Sequence, residues 1–252
     1  RPLQGMSHFI ARGLKVESLD MEKTWEFTPL VKPGDEVGPG DFLGEIPETG
    51  MITHRVMVPP DTAGTVASIS PREVSGAEPV CVLTDGTEIG LYQDWPVREP
   101  RPFREKLPLT EPFVTGQRVF DTLLPVAEGG TAIVPGGFGT GKSIVEQTIA
   151  KYGRSEVIIY IGCGERGNEM TEILTDFPRL IDPATGLPLS DRTVIVVNTS
   201  NMPVAAREAS IFTGVTMAEY FRDMGYSVAL LADSISRWAK SLREISSMLE
   251  EM

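Results

Sequence analysis

The sequence predicts an α/β chain in which a small all-β unit precedes a mainly parallel sheet flanked by helices. Three observations carry that prediction. Up to about Asp94 the chain is rich in Gly, Pro and short β-prone runs. From about Pro112 apolar strands alternate with helical stretches, the pattern of βαβ units. Between them lies WPVREPRPFREKLPLTEP, where Pro96, Pro100 and Pro102 exclude a helix.

In the first part, VKPGDEVGPGDFLGEI holds two Pro-Gly pairs that punctuate turns. The runs Thr53–Val58, Gly64–Ile69 and Val80–Leu83 follow, spaced as in a small sandwich or barrel. Residues 1–23 read as a connecting segment and 24–94 as the β-rich domain. Residues 95–111 read as an extended surface linker separating two units, and 112–252 as the α/β domain.

Within that domain Thr131–Val134 (TAIV) reads as a short strand and Ser143–Tyr152 as a helix stopped by Gly153. Glu156–Ile161 (EVIIYI) is a buried-type strand, Asn168–Phe177 a short helix, and DPATGLP a turn-rich loop. Thr193–Asn198 is a strand, and a long helix runs from near Pro203, a residue suited to the first helical position, to near Gly225. Ser227–Ala232 is a further strand, with helix from Ser234 onward. In that last helix Ile235, Trp238, Leu242, Ile245 and Leu249 repeat at three-four spacing, which reads as a face packed on the sheet rather than a coiled-coil seam. The chain begins at Arg1 and stops at Met252 inside this helical pattern, so it is expected to be a piece of a longer protein.

A formal net charge of -12 argues against general affinity for nucleic-acid phosphates and agrees with a soluble protein. No apolar run approaches the roughly 20 residues of a membrane span, and RPLQGMSHF lacks the apolar core of a signal peptide. Any membrane association is therefore expected to come through partners, from a cytoplasmic, peripheral position. Cys81 and Cys163 form neither a metal motif nor a disulfide framework and read as small buried apolar residues. His8 and His54 are lone histidines without a second ligand in view.

The strongest chemical signal is Gly136-Gly137-Phe138-Gly139-Thr140-Gly141-Lys142-Ser143, which fits G-x-x-x-x-G-K-[ST] between a strand and a helix. In such a P-loop the glycines let successive N–H groups turn inward on phosphate oxygens, and the helix N-terminus adds positive potential. Lys142 would reach the β- and γ-phosphates, and the Ser143 hydroxyl would ligate Mg²⁺. Asp233 closes the apolar run SVALLAD, where a carboxylate suits the Mg²⁺ side of such a site; as a common helix cap it is a weak signal alone. Glu165 and Arg166, in GCGERGNE, are expected in a loop at the carboxyl edge of the sheet, where ligands sit. There Glu165 could polarise an attacking water and Arg166 neutralise phosphate charge.

GCGERGNEM, GGFGTGKS, TSNMPVAAREAS, AEYFRDMG and SRWAKSLREIS together resemble the catalytic A subunit of archaeal- and vacuolar-type (A/V-type) rotary ATPases. WPVREPRP, TGQRVFDTLLPVAEGGTAIVPG and LEEM agree with it, so the resemblance runs through nearly the whole chain. It implies a P-loop NTPase core of RecA-like type and an enzyme that hydrolyses or makes ATP while translocating protons or sodium ions. It also implies Mg²⁺ with ATP or ADP as cofactor. The implied partners are B subunits alternating in an A3B3 ring, with central and peripheral stalk subunits, no nucleic acid and no direct membrane insertion. The chain would lack that subunit's N-terminal barrel and its C-terminal part.

Carried over by motif, the resemblance makes Lys142 and Ser143 the phosphate and Mg²⁺ pair, Glu165 the carboxylate that orients water, and Arg166 a nucleotide-contacting arginine. Asp233 becomes the Mg²⁺-side aspartate and Arg237 an arginine near the phosphates; the alternative for Arg237 is a helix-surface ion pair. Gly137, Ser143 and Ile235 depart from the usual residues of the family, and none of the three removes a catalytic group. Phe138 separates this loop from that of the F-type β subunit.

The β-rich part is expected to be the bulge domain of that family. It also resembles half of a biotinyl or lipoyl carrier barrel, but its candidate hairpin tip, PETGMITHRVMVPP, has no lysine to bear a cofactor. Two further readings remain: a non-catalytic nucleotide-sensing subunit, opposed by the intact Lys142, Ser143, Glu165 and Asp233, and an ATPase for export or RNA unwinding, opposed by the β-rich insert and the lack of basic patches.

Overall fold

The structure, a computed structural model, describes residues 19–137, 139–176 and 179–250, and their contacts fall into two units. The first comprises the described residues up to Pro47 together with Thr53–Asp94. The second comprises Glu48–Ile52 and the described residues from Trp95 on.

The first unit is built from eight short strands: β1 (Thr24–Pro29), β2 (Glu36–Val37), β3 (Phe42–Pro47), β4 (Thr53–Met57), β5 (Gly64–Ile69), β6 (Arg72–Ser75), β7 (Cys81–Leu83) and β8 (Glu88–Ile89). They form two four-stranded sheets, in the orders β4-β3-β1-β6 and β2-β5-β7-β8, with antiparallel pairing throughout. Alternate residues such as Phe27, Leu43, Val56, Val66, Val74 and Leu83 point into one apolar core. The two Pro-Gly pairs each make a tight turn. In KPGD and GPGD the glycines adopt φ +97° (Gly34) and +83° (Gly40), the left-handed position a type II turn requires after proline. The Asp35 and Asp41 carboxylates accept the Lys32 and Gly38 N–H groups at 2.8 and 2.7 Å. His54 lies on β4 opposite Ile46.

In the second unit a small pair, β9 (Pro112–Phe113) and β10 (Val126–Ala127), flanks the short helix α1 (Arg118–Leu123). The main sheet is parallel, in the order β12-β11-β13, from β11 (Val157–Glu165), β12 (Thr193–Thr199) and β13 (Val228–Asp233). All nine residues of β11 are buried, as a central parallel strand requires. Its alternate side chains feed two clusters. Ile158 and Tyr160 pack with Ala150 of α2 (Lys142–Tyr152) and Met170 of α3 (Gly167–Asp176). Ile159, Ile161 and Cys163 pack with Ile211 and Phe221 of α4 (Val204–Asp223), Trp238 of α5 (Ile235–Glu250), and Ile52.

Four expectations need correction. Thr131–Val134 makes no strand pairing among the described residues; Ile133 is 83% exposed, and a groove separates the segment from β13. A four-residue run between Gly130 and Pro135 offers too little apolar surface to hold it there. Glu165 is not in a loop: it is the last residue of β11, because parallel pairing with β12 continues to Glu165↔Thr199. Gly153 ends α2 as expected, through an extended exit with φ -65° and ψ 144°.

Residues 95–111 are not a free surface linker. Arg101 is 4% exposed, its Nε donates to Asp223 Oδ2 at 2.7 Å, and its guanidinium lies over the rings of Trp95 and Tyr220. The row Glu208, Glu219 and Asp223 on α4 attracts the segment: Arg98 pairs with Glu208, and the Arg101 N–H donates to Glu219. Finally, the apolar face of α5 packs only in part. Trp238 joins the core and its Nε1 donates to Glu208 O at 2.9 Å, whereas Ile235 and Leu249 are exposed.

Candidate functional site at the carboxyl edge of the sheet

Parallel pairing puts the ends of β11 and β13 side by side, with Gly162 opposite Asp233. Glu165 and Asp233, at those ends, are 4% and 7% exposed. The loop before α2 curls beside them. Gly141 holds φ +84° at the helix N-cap, a conformation that only glycine takes without strain, and α2 begins at Lys142. The Lys142 Nζ donates to the carbonyls of Gly136 and Gly137 at 2.9 and 2.7 Å, and Thr140 Oγ1 donates to Gly137 O at 2.8 Å. Phe138 lies outside the described residues.

Ser143, on the first turn of α2, donates its hydroxyl to Asp233 Oδ2 at 2.5 Å. The α2 N-terminus and the β13 C-terminus are thereby joined at one point. Hydroxyl and carboxylate oxygens are the donors a hard divalent cation takes. Among the described residues no group of three or more His, Cys, Asp or Glu is placed to hold a metal ion, so a cation here would draw part of its shell from elsewhere, as ions at phosphate sites do. One more oxygen fits that use. Glu146 Oε2, one helical turn beyond Lys142, is buried with no hydrogen-bond partner. Glu146 lines, with Gly136, Lys142 and Asp233, a groove of about 690 Å³. Burial first, then the Asp233 and Glu165 carboxylates, push its carboxyl up to about 7, with Lys142 opposing.

The second cluster centres on Glu165. Its carboxylate pairs with the Arg237 guanidinium from the first turn of α5. Its backbone carbonyl accepts the Ser200 N–H at 2.8 Å. Burial raises the Glu165 carboxyl above its ordinary value; Arg237 opposes this, while a hydrogen bond to Glu169 and the Asp233 charge add to it. Arg166, the next residue, is exposed at the mouth. Arg207, from α4, reaches the same edge and donates to Ser200 O at 3.0 Å.

The structure therefore brings Gly136, Gly137, Gly139, Thr140, Gly141, Lys142, Ser143, Glu165, Arg166, Asp233 and Arg237 to one edge of the second unit. Arg237, partly exposed on α5, makes its ion pair with the buried Glu165. Sequence reasoning passed over Glu146, Glu169 and Arg207. The signal for Glu146 was spacing, four residues and so one helical turn after Lys142; Glu169 lies on α3, beyond the strand that Glu165 ends. Cys81 and Cys163 are buried and form no disulfide, and burial pushes both thiols up, as inert packing residues require. His8 lies outside the described residues. No helix among the described residues is long and apolar enough to cross a membrane.

Residues 116–252 match the family described as ATP synthase alpha/beta family, nucleotide-binding domain. Residues 16–98 match the ATP synthase alpha/beta subunit barrel-sandwich domain. The A subunit of an A-type ATP synthase from Methanosarcina barkeri is 56% identical over 250 residues, covering 99% of this chain and 43% of the relative. Its counterpart from Methanoculleus marisnigri is 58% identical over 257 residues, covering 100% and 44%. A V-type ATP synthase alpha chain of Thermoanaerobacter sp. is 58% identical over 248 residues, covering 97% and 42%. The chain thus spans less than half the length of these curated relatives. Among solved structures, a prototypical ATPase from the type III secretion system of pathogenic bacteria superposes with a TM-score of 0.53 at 31% identity, over 63% of this chain and 44% of that one.

Proposed function

This chain belongs to the ATP synthase alpha/beta family, and on that premise we propose that it carries the catalytic nucleotide site of an A/V-type rotary ATPase. The site binds ATP with Mg²⁺ and hydrolyses or makes it, coupled to translocation of protons or sodium ions. One observation carries the reading: the Gly136–Ser143 loop is tied through Ser143 Oγ to Asp233 at the end of the neighbouring strand.

The residues take these roles. The N–H groups of the Gly136–Ser143 loop and the α2 N-terminus receive the phosphates. Lys142, whose Nζ rests on the Gly136 and Gly137 carbonyls, is already among the groups it would exchange for phosphate oxygens. Ser143 and Asp233 would hold the cation, which would supply positive charge to the phosphates. Glu165 orients the water for in-line attack on the γ-phosphorus, and its raised carboxyl pKa brings it nearer to that of a working base. Arg237, paired with Glu165, opposes the upward push on that carboxyl, and Arg166 offers a second cation at the mouth. The partners are B subunits in an alternating A3B3 ring with central and peripheral stalks. The location is the cytoplasmic face of a membrane, without insertion into it.

An export ATPase is the competing reading favoured by a specific observation, the 31% identity to a type III secretion ATPase. The 56–58% identity over nearly the whole chain to A-type and V-type subunits outweighs it. The test is Lys142→Ala in the full-length protein assembled with its partners. Turnover collapses while assembly persists, because the lysine lines a groove and packs little. A variant that hydrolyses ATP near the normal rate contradicts the reading.

A further inference from the structure

Glu146 occupies a place that a surface helix residue does not. It follows Ser143 by three residues and Lys142 by four, so α2 presents all three on one face. That face meets β13, and Glu146, Lys142 and Asp233 line the same groove. Its Oε2 is buried without a donor, although a buried carboxylate oxygen ordinarily has one. Lys142 does not supply it, since that ammonium is hydrogen-bonded to the Gly136 and Gly137 carbonyls. The charged groups facing Glu146 are Asp233 at the end of β13, Glu165 at the end of β11, and Lys142 on its own helix. Two of the three are carboxylates. Three carboxylates within electrostatic reach of one another gain from a further positive charge in their midst.

Resting on the nucleotide-site reading above, we propose that Glu146 is a positioning residue for the divalent cation. It acts outside the direct coordination by Ser143 and Asp233 and makes the groove a stronger cation site. Outer groups of this kind typically change metal affinity by about 10–100-fold.

The test uses Mn²⁺ as the probe and ADP as the nucleotide, in the full-length protein. Mn²⁺ binding to the ADP complex is followed by electron paramagnetic resonance, and ADP binding is measured separately in a chelator. Glu146→Gln, which keeps the size of the side chain, is expected to weaken Mn²⁺ by about 10-fold and to leave metal-free ADP affinity unchanged. Glu146→Asp is expected to recover part of the loss. Unchanged Mn²⁺ affinity in Glu146→Gln overturns the proposal. So does an equal fall in metal-free ADP affinity, which would mean that Glu146 acts through Lys142 or through the fold. If the unsubstituted protein binds no ADP, the nucleotide-site reading fails, and this proposal fails with it.

Discussion

Ser143 and Asp233 stand 90 residues apart in the chain and are joined by a hydrogen bond of 2.5 Å. One is fixed by the first turn of a helix and the other by the end of a parallel strand. Neither alone is more than a common residue in a common place. Together they hold the phosphate-binding loop against the sheet edge, beside the groove that Asp233 lines.

That bond has a stability of its own to lose. Ser143→Ala strips the hydroxyl from a buried aspartate, and a hydrogen bond to a charged group contributes about 1.5–3 kcal/mol. Urea unfolding is expected to show a loss in that range, and Ser143→Thr, which keeps a hydroxyl, should show little. Equal stability in Ser143→Ala would mean that the pair is not formed in solution.

Arg101 gives a second stability test, away from the site. Its guanidinium is buried between Trp95, Tyr220 and Asp223. Arg101→Met keeps much of the apolar stem and removes the charge. Breaking a buried pair costs about 3–5 kcal/mol. The lower end is expected here, because Arg222 still pairs with Asp223. The midpoint of thermal unfolding should fall accordingly, and an unchanged midpoint would return residues 95–111 to the status of a loose linker.

Two pH effects follow from the carboxyl cluster. Arg237 opposes the upward push on Glu165, so Arg237→Met should raise the Glu165 carboxyl pKa further. Because the base acts deprotonated, the acid limb of the pH–rate profile should move to higher pH. A shift to lower pH, or none, would contradict the pairing.

Glu146 gives the other. Its folded carboxyl is pushed up to about 7 from an ordinary value of 4.5, so between those values the folded state holds a proton that the unfolded chain has released. The stability that this proton contributes, without divalent cation, should be fully present below about 4.5 and be lost as pH rises through about 7. Glu146→Gln should flatten that part of the pH–stability curve. A curve of unchanged shape in the variant would place the titration elsewhere.

The sequence made the chemistry more legible than the packing. Lys142 and Ser143 lie inside a motif whose spacing is dictated by a phosphate, and SVALLAD ends on its acid, so both could be read along the chain. The long strands and helices of the second unit were readable for a similar reason, since their periodicity is local. What escaped were relationships set by distant segments. Glu165 proved to end a strand because β12 extends the pairing to Thr199. Arg101 is buried because α4 carries acids at helical spacing to receive it. Thr131–Val134 has the composition of a strand and yet lacks a paired neighbour among the described residues. In the first unit, β1 and β6 went unread because TWEFTP and REVS mix charged and apolar residues at a period visible only once one face is known to be buried.

The account stands most directly on Glu165. In the full-length protein assembled with its partners, ATP hydrolysis and bound nucleotide can be measured together for Glu165→Gln. The substitution keeps size and loses the carboxylate that orients water. The account predicts that kcat falls by roughly 10²–10⁴-fold with nucleotide still retained. Loss of bound nucleotide with unchanged turnover per occupied site would contradict it and make Glu165 a structural residue.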